Sequence, residues 1–422
     1  MNFNRRDFLK LGATSAIGFW LDTILPKMKA YAGQINEGDI PEMVYRSFGN
    51  TGKKLSILGM GGARYPYNDG DLTEAVKLAV RAYELGINYF ETGPQYVQDK
   101  CEEILGLALK EIERKNKNKE NPLPCYWGTK SGLYLGDETA GDVRRRLETS
   151  LKRIGQDKAP FYYMWAIMDM DHYQKVMKKG GPYEGALKAK EEGLIDHIIY
   201  STHASGEENV KIINDGAFDG VLLGYNITNF PRQEKAVQAA YQRGMGVLTM
   251  NPLAGGLIPR NAEYFKQRIE RENTDMTIVQ TALAFIMGQP EITVALSGMD
   301  KEEYIVENIK TINFLKIFSD NQLAGLKEKY LEDLQGICTT CQYCDVCPQE
   351  IPIYAIMRAY NSYILNGKQA FQGWARWYKG LKQIDFKKEL GKCTKCGSCE
   401  KVCTQHLDIV KRFDKIKNEL LT

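Results

Sequence analysis

Between Met43 and Phe314 the chain alternates apolar, β-rich runs with helical periodicities, and this alternation narrows the available folds more than any other feature. The runs are Leu55–Gly59, Ile87–Thr92, Cys125–Thr129, Phe161–Ile167, Ile195–Thr202, Gly220–Tyr225, Gly246–Met250 and Thr293–Ser297. Between them, Leu72–Leu85 places Leu72, Ala75, Val76, Ala79 and Tyr83 on one helical face. Cys101–Ile112 and Ala140–Ile154 repeat that pattern with charges opposite. Strand–helix alternation predicts a parallel sheet, and eight such units fit a (β/α)8 TIM barrel. A doubly wound sheet would open with G-x-G-x-x-G. Gly59-Met60-Gly61-Gly62-Ala63-Arg64 lacks the third glycine, which favours the barrel. Ahead of it, Val44–Lys54 carries the turn signal Asn50-Thr51-Gly52 and predicts a hairpin closing the barrel floor.

Barrel chemistry sits at the C-terminal strand ends. Those ends offer Glu91 and Tyr96, then Lys130, Trp165, Ser201-Thr202-His203, Tyr225-Asn226, Asn251 and Ser297-Gly298. A Tyr and a Lys meeting in one pocket suit acid chemistry, with Glu91 holding the Lys by an ion pair. The expectation is that the Lys130 ammonium lowers the pKa of Tyr96.

The tail is organised by cysteine. Eight of the ten cysteines lie between Cys338 and Cys403, as Cys338-x2-Cys341-x2-Cys344-x2-Cys347-Pro348 and Cys393-x2-Cys396-x2-Cys399-x3-Cys403. Two runs at these spacings are the signature of two [4Fe-4S] clusters, where the fourth Cys of each run serves the other cluster. The predicted ligand sets are Cys338, Cys341 and Cys344 with Cys403, and Cys393, Cys396 and Cys399 with Cys347. Zinc sites need paired C-x2-C arms, and disulfides are strained at such spacing. Cys101 and Cys125, in a predicted helix and strand, read as packing thiols. The aromatic-rich stretch Ile351–Leu390 reads as two short helices wrapping the clusters.

The first residues form an address. Arg5-Arg6-Asp7-Phe8-Leu9 precedes a mildly apolar Leu11–Leu21 stretch and Ala30-Tyr31-Ala32, a secretory signal resembling the twin-arginine class, with cleavage after Ala32. The chain's formal net charge is +3. Residues 1–32 carry five Lys or Arg against two Asp, so the mature chain is neutral and makes a poor nucleic-acid binder. The tail from Cys338 carries 14 Lys or Arg against 8 Asp or Glu. Anionic clusters of about −2 each would offset part of that excess. No stretch reaches the roughly 18 apolar residues of a spanning helix.

These blocks together resemble the aldo-keto reductase family. Gly86-Ile87-Asn88-Tyr89-Phe90-Glu91-Thr92 with Tyr96, then Cys101–Gly106, Thr129-Lys130, Ser201-Thr202-His203, Tyr225-Asn226, Pro252–Gly256 and Ser297-Gly298-Met299 with Glu307-Asn308 are similar to its blocks in order. The tail looks like the C-terminal two-cluster ferredoxin-like domain that some members carry. The resemblance implies hydride transfer between NADP(H) or NAD(H) and a carbonyl or alcohol. Tyr96 would then be the proton donor, tuned by Lys130. It implies nucleotide contacts at Ser201, Asn226, Asn251, Ser297, Gly298, Glu307 and Asn308. Two positions depart from the family: its Asp is Glu91 here, and its active-site His aligns with Trp165. An indole donates one hydrogen bond and cannot shuttle a proton.

The expected organisation is a signal at 1–32, a reductase-type barrel at 43–325 and a small α-rich two-cluster domain at 326–422. The expected protein is an exported, periplasmic iron–sulfur oxidoreductase. It would use the twin-arginine machinery, a small carbonyl or alcohol substrate and a redox partner protein, with no nucleic acid and no membrane-spanning helix in the mature chain. The alternative is an electron-transfer protein whose barrel is a non-catalytic or nucleotide-free docking platform.

Overall fold

The computed structural model describes residues 40–67, 70–269, 276–316, 318–329, 336–339 and 341–421. The predicted signal at 1–32 lies outside the described residues. A short hairpin pairs β1 (Tyr45–Ser47) with β2 (Lys54–Ser56). Eight parallel strands follow: β3 (Leu58–Gly61), β4 (Tyr89–Glu91), β5 (Tyr126–Ser131), β6 (Ala159–Ile167), β7 (Ile195–Thr202), β8 (Gly220–Gly224), β9 (Gly246–Met250) and β10 (Val294–Ser297). They close in sequence order, with β10 beside β3. This is the expected (β/α)8 barrel.

Alternation along the strands builds two layers. Tyr89, Phe161, Tyr163, Ile199, Leu222, Leu248 and Leu296 fill the barrel. Their neighbours Phe90, Tyr162, Met164, Ile198, Tyr200, Val221 and Val247 pack outward under the helices. The helices start where the sequence supplies caps. Thr139 and Asp142 form a reciprocal capping box on Ala140–Ile154, and Ser205 and Glu208 form another on Gly206–Asp215. The helix expected over Leu72–Leu85 runs Thr73–Glu84, and that at Cys101 continues to Asn116.

The hairpin does close the floor. Phe48 is fully buried at its tip and joins the interior cluster. A Cβ on Gly246 would lie 2.3 Å from the Phe48 ring. Phe48→Ala is expected to cost about 3–5 kcal/mol, and Gly246→Ala about 1–3 kcal/mol through overpacking. Both should appear as lowered urea midpoints of the barrel's circular dichroism. The first predicted strand was drawn as one run, Leu55–Gly59, yet the chain breaks it at Ile57. Asn88 causes the break: its Oδ1 accepts from Ser56 N–H at 2.7 Å, and its Nδ2 donates to Lys54 O. The apolar run hides this turn.

The tail has its own core of Ile353, Ile356, Met357, Phe371, Phe386, Leu390, Leu407, Ile409 and Phe413. The inter-run stretch is one long helical run, Ile353–Lys382, broken at Gly367 (φ 80), followed by Phe386–Gly391. Most of its aromatics face this core, with Tyr360, Phe371 and Tyr378 buried. Among the described residues no helix is long and apolar enough to cross a membrane.

Candidate active site and thiol cavities

The C-terminal strand ends bring Glu91, Tyr96, Lys130 and Trp165 together. Glu91 closes β4 and Lys130 lies near the end of β5, both almost wholly buried. The Lys130 ammonium donates to Glu91 Oε1 and, at 2.7 Å, to Thr92 O. Its Nζ lies 4.6 Å from the Tyr96 ring centre, 5.0 Å from Tyr163 and 5.9 Å from Trp165. A carboxylate and three aromatic faces therefore enclose one cation.

Tyr96 Oη donates to the same Glu91 oxygen at 3.3 Å. Burial, then the Glu91 carboxylate, hold its phenol well above the ordinary value. This corrects the expectation that Lys130 lowers it. The ammonium is engaged by Glu91, and its approach to Tyr96 is over the ring face rather than at the oxygen. The oxygen of Glu91 that holds Lys130 also accepts the Tyr96 hydrogen bond.

Trp165 sits where β6 leaves regular pairing with β7, between Met164 and Ile167, and Ala166 there has φ 57. A bulge of this kind re-aims a side chain. Gly132 makes room, since a Cβ there would meet Trp165 O at 2.7 Å. The Trp165 ring packs edge-on to Tyr96 at 5.7 Å and to Tyr134 at 5.9 Å.

Of the residues expected to contact nucleotide, Ser201, Asn226, Asn251, Ser297 and Gly298 lie at or just beyond the C-terminal ends of β7 to β10, and Glu307 and Asn308 lie in the helix Glu302–Lys310. Ser201 Oγ accepts from Ala166 N–H at 2.9 Å, and Asn226 Nδ2 donates to Asn251 O at 2.9 Å. Asn308 Nδ2 donates to Ser297 Oγ at 3.0 Å, while Thr277 Oγ1 donates to Glu307 at 2.7 Å. Several of these groups thus bind the loops to one another. Asn251 and Ala254 have positive φ (57 and 49), as do Gly255 and Gly256. Residue-by-residue reading missed the basic groups beside this loop. Arg64 lies across Gly298, where a Cβ would meet its Cγ at 2.5 Å, and Arg260 donates to Gly255 O. Burial, then Arg358 of the tail and Arg64, push the Arg260 guanidinium down. Among the described residues no carboxylate pairs with any of the three. Arg64 and Arg260 stand at these glycine loops and suit an anion, while Arg358 lies over the Trp374 ring at 4.9 Å.

The tail thiols line two small hollows. Cys338, Cys341, Cys344 and Cys403 line the first; Cys347, Cys393, Cys396 and Cys399 line the second. None of the ten described cysteines is in a disulfide. Among the described residues no three Cys, His, Asp or Glu side chains lie close enough to hold a single metal ion. What is formed is a chamber walled by four separated thiols, a donor set that fits a polynuclear iron–sulfur group. Asn361 clamps Cys338 through both backbone atoms, at 2.8 and 2.7 Å. Thr404, where ferredoxins usually have Pro, lies 3.3 Å from Cys341 Sγ through its hydroxyl. In the barrel Cys101 is buried, accepts from Thr92 Oγ1 and has its thiol pushed up to about 12 by burial, as a packing thiol should.

The first chamber adjoins the barrel mouth. Tyr343, between Cys341 and Cys344, packs its ring 5.6 Å from Tyr134 and 5.0 Å from His203. His203 is partly buried, and desolvation followed by nearby His406 pushes its pKa down to about 4. Arg232 of the barrel donates to Gln405 O of the tail.

Residues 57–331 match the Aldo/keto reductase family. The chain is similar to the NADH-specific methylglyoxal reductase of Escherichia coli (26% identical, covering 63% of this chain and 92% of that protein). It is also similar to a probable voltage-gated potassium channel subunit beta of Oryza sativa (23%, covering 66% and 93%). Among solved structures, an aldo-keto reductase of Bacillus halodurans in its holo form has the same barrel (TM-score 0.56, 19% identical, covering 68% and 96%). One from Klebsiella pneumoniae in complex with NADPH gives a TM-score of 0.54 at 16% identity, covering 68% and 96%. The family match ends before the first tail cysteine, Cys338.

Proposed function

The chain belongs to the aldo/keto reductase family of oxidoreductases, and from that premise we propose that it is an exported iron–sulfur enzyme moving hydride between NADP(H) and a carbonyl or alcohol. The observation that carries this reading is the Tyr96–Glu91–Lys130 constellation at the barrel mouth, with a four-thiol chamber packed against the same mouth.

When bound, a nicotinamide supplies a hydride pair and the clusters supply single electrons. The chain's own part is to bind, orient and move one proton. Tyr96 keeps its proton through the neutral range and is the acid for a carbonyl oxygen placed at its hydroxyl. Lys130 balances Glu91 and faces the Tyr96 ring, so the charge left on the phenolate meets a cation already in place. The Trp165 ring walls the pocket and excludes water. Ser201, Asn226 and Asn251 would hold the nicotinamide end. Ser297, Gly298, Glu307 and Asn308, with Arg64, Arg260 and Arg358, would hold the phosphate end. Cys338, Cys341, Cys344 and Cys403 would ligate one cluster, and Cys393, Cys396, Cys399 and Cys347 the other.

Export rests on the sequence of residues 1–32 and implies a nucleotide loaded before translocation. A redox partner of acidic surface would suit the tail's exposed Lys387, Lys388 and Lys401.

The tail's arginine gives a specific outcome. Arg358→Ala is expected to raise the KM for NADPH about tenfold with kcat within about twofold. Trp165 in place of the family's His favours a second reading, a docking barrel without turnover. One experiment separates the two. The mature holoprotein is purified anaerobically, its nucleotide extracted, and methylglyoxal reduction followed with NADPH. Bound nucleotide and turnover support the enzyme; a barrel that ignores millimolar nucleotide contradicts it.

A further inference from the structure

The tail meets the barrel beside one set of thiols. Ile337, immediately before Cys338, is buried and belongs to the barrel's hydrophobic core rather than to the tail's. Tyr343, between Cys341 and Cys344, packs its ring 5.6 Å from Tyr134 and 5.0 Å from His203. Gln405, two residues after Cys403, accepts through its carbonyl oxygen from Arg232 of the barrel. Each segment that brings a thiol to the first chamber thus also brings a contact to the barrel. The neighbours of the other thiols turn inward instead. Ile351, after Cys347, packs in the tail's own core. Lys395, between Cys393 and Cys396, pairs with Asp414 at 2.8 Å, and Glu400, after Cys399, accepts from Val410 N–H at 2.8 Å. From Tyr343 a row of edge-on rings runs into the mouth: Tyr134 lies 5.9 Å from Trp165, and Trp165 lies 5.7 Å from Tyr96. The Tyr134 ring, half exposed on the short turn Leu133–Leu135, is held between Trp165 of the barrel and Tyr343 of the tail.

We propose that the two thiol sets divide their work: ligation at the first chamber seats the tail on the barrel mouth, while the second holds the tail's own fold. The outer wall of the mouth, built from Tyr343, Tyr134 and His203, is then complete only in a chain that has received its first iron–sulfur group. This rests on the iron–sulfur reading of the tail and does not depend on whether the barrel turns over. The physical reason is loop closure. Cys403 is far along the chain from Cys338, Cys341 and Cys344, so ligating all four orders two loops at once, and those loops carry Tyr343 and Gln405. Ligation at Cys347 with Cys393, Cys396 and Cys399 would still join the two runs when the first chamber is open, so the tail could stay folded while its barrel-facing loops come loose.

The test is hydrogen–deuterium exchange, read by mass spectrometry, on the mature full-length chain purified anaerobically with its iron counted. Residues 132–137 and 203–206 report the seat, and the strands β6 and β7 report the barrel itself. Cys403→Ser and Cys396→Ser should each fall from about eight to about four irons per chain. Only Cys403→Ser should speed exchange at the seat, by at least about tenfold, with β6 and β7 unchanged. Cys341→Ser, which alters an exposed thiol of the same chamber, should repeat this result and serves if Cys403→Ser does not fold. Tyr343→Ala should keep about eight irons and still speed exchange at residues 132–137, which shows that the effect passes through the ring contact. Equal speeding in Cys396→Ser and Cys403→Ser overturns the inference, as does slow exchange retained at the seat in Cys403→Ser and Cys341→Ser or in Tyr343→Ala. A wild type that holds about eight irons and shows any of these results loses this inference alone, whereas a wild type without iron loses the iron–sulfur reading and the inference with it.

Discussion

Tyr96→Phe is expected to lower carbonyl reduction by a factor on the order of 10²–10⁴ while NADPH affinity stays within about twofold. Only the hydroxyl is removed; the ring that packs on Trp165 and faces Lys130 remains. Burial and the Glu91 carboxylate raise the Tyr96 pKa above its ordinary 10.0. A raised pKa moves the alkaline limb upward, so reduction should be flat from about pH 6 to about pH 9 and decline only beyond the ordinary phenol range. The oxidative direction needs the phenolate and should rise with pH over the same window. Lys130→Met should be worse in a different way. It strands the Glu91 carboxylate in a site where both partners are almost fully buried, at a cost of about 3–5 kcal/mol in stability. A kinetic loss in Tyr96→Phe without a stability loss, and both losses in Lys130→Met, would separate the acid from the residue that holds it.

Cys403→Ser should remove the cluster built on Cys338, Cys341 and Cys344 and spare the other. Holoprotein iron and sulfide are expected at about eight each per chain, falling to about four in this variant. Cys347→Ser should remove the opposite cluster to the same extent. The basis is spatial. Cys403, far along the chain from the first run, lines the first chamber, and Cys347, four-fifths of the way through the chain, lines the second with the later run. Electron paramagnetic resonance of the dithionite-reduced variants identifies which centre is left. Loss of the Cys393–Cys399 centre in Cys403→Ser would mean that each run serves itself.

The barrel was legible because its strands are buried on two faces and its helices on one, so each element carries a period. The capping boxes at Thr139 and Ser205 fix two helix starts, though periodicity alone showed the first of these helices and not the second. The two groups of thiols that line the hollows are those expected from the spacing of the runs. Single-residue effects left no such trace. The break at Ile57 depends on Asn88, more than thirty residues later, reaching back to Ser56. That one Glu91 oxygen serves both Lys130 and Tyr96 follows from geometry that the motif does not encode. Tyr343 and Arg358 belong to no motif in the sequence. Both matter because the tail folds back on the mouth, and that contact has no periodicity in either unit.

The most direct test of the account is the fate of a label. Cluster-loaded mature protein is incubated with methylglyoxal and NADPH carrying deuterium at the transferring C4 position, and the product alcohol is examined by mass spectrometry and NMR. Direct hydride transfer in the barrel predicts one deuterium on the carbinol carbon, with label transfer lost in Tyr96→Phe. Oxidised nucleotide with an unlabelled product, or no reaction of a nucleotide-bound protein, would contradict it.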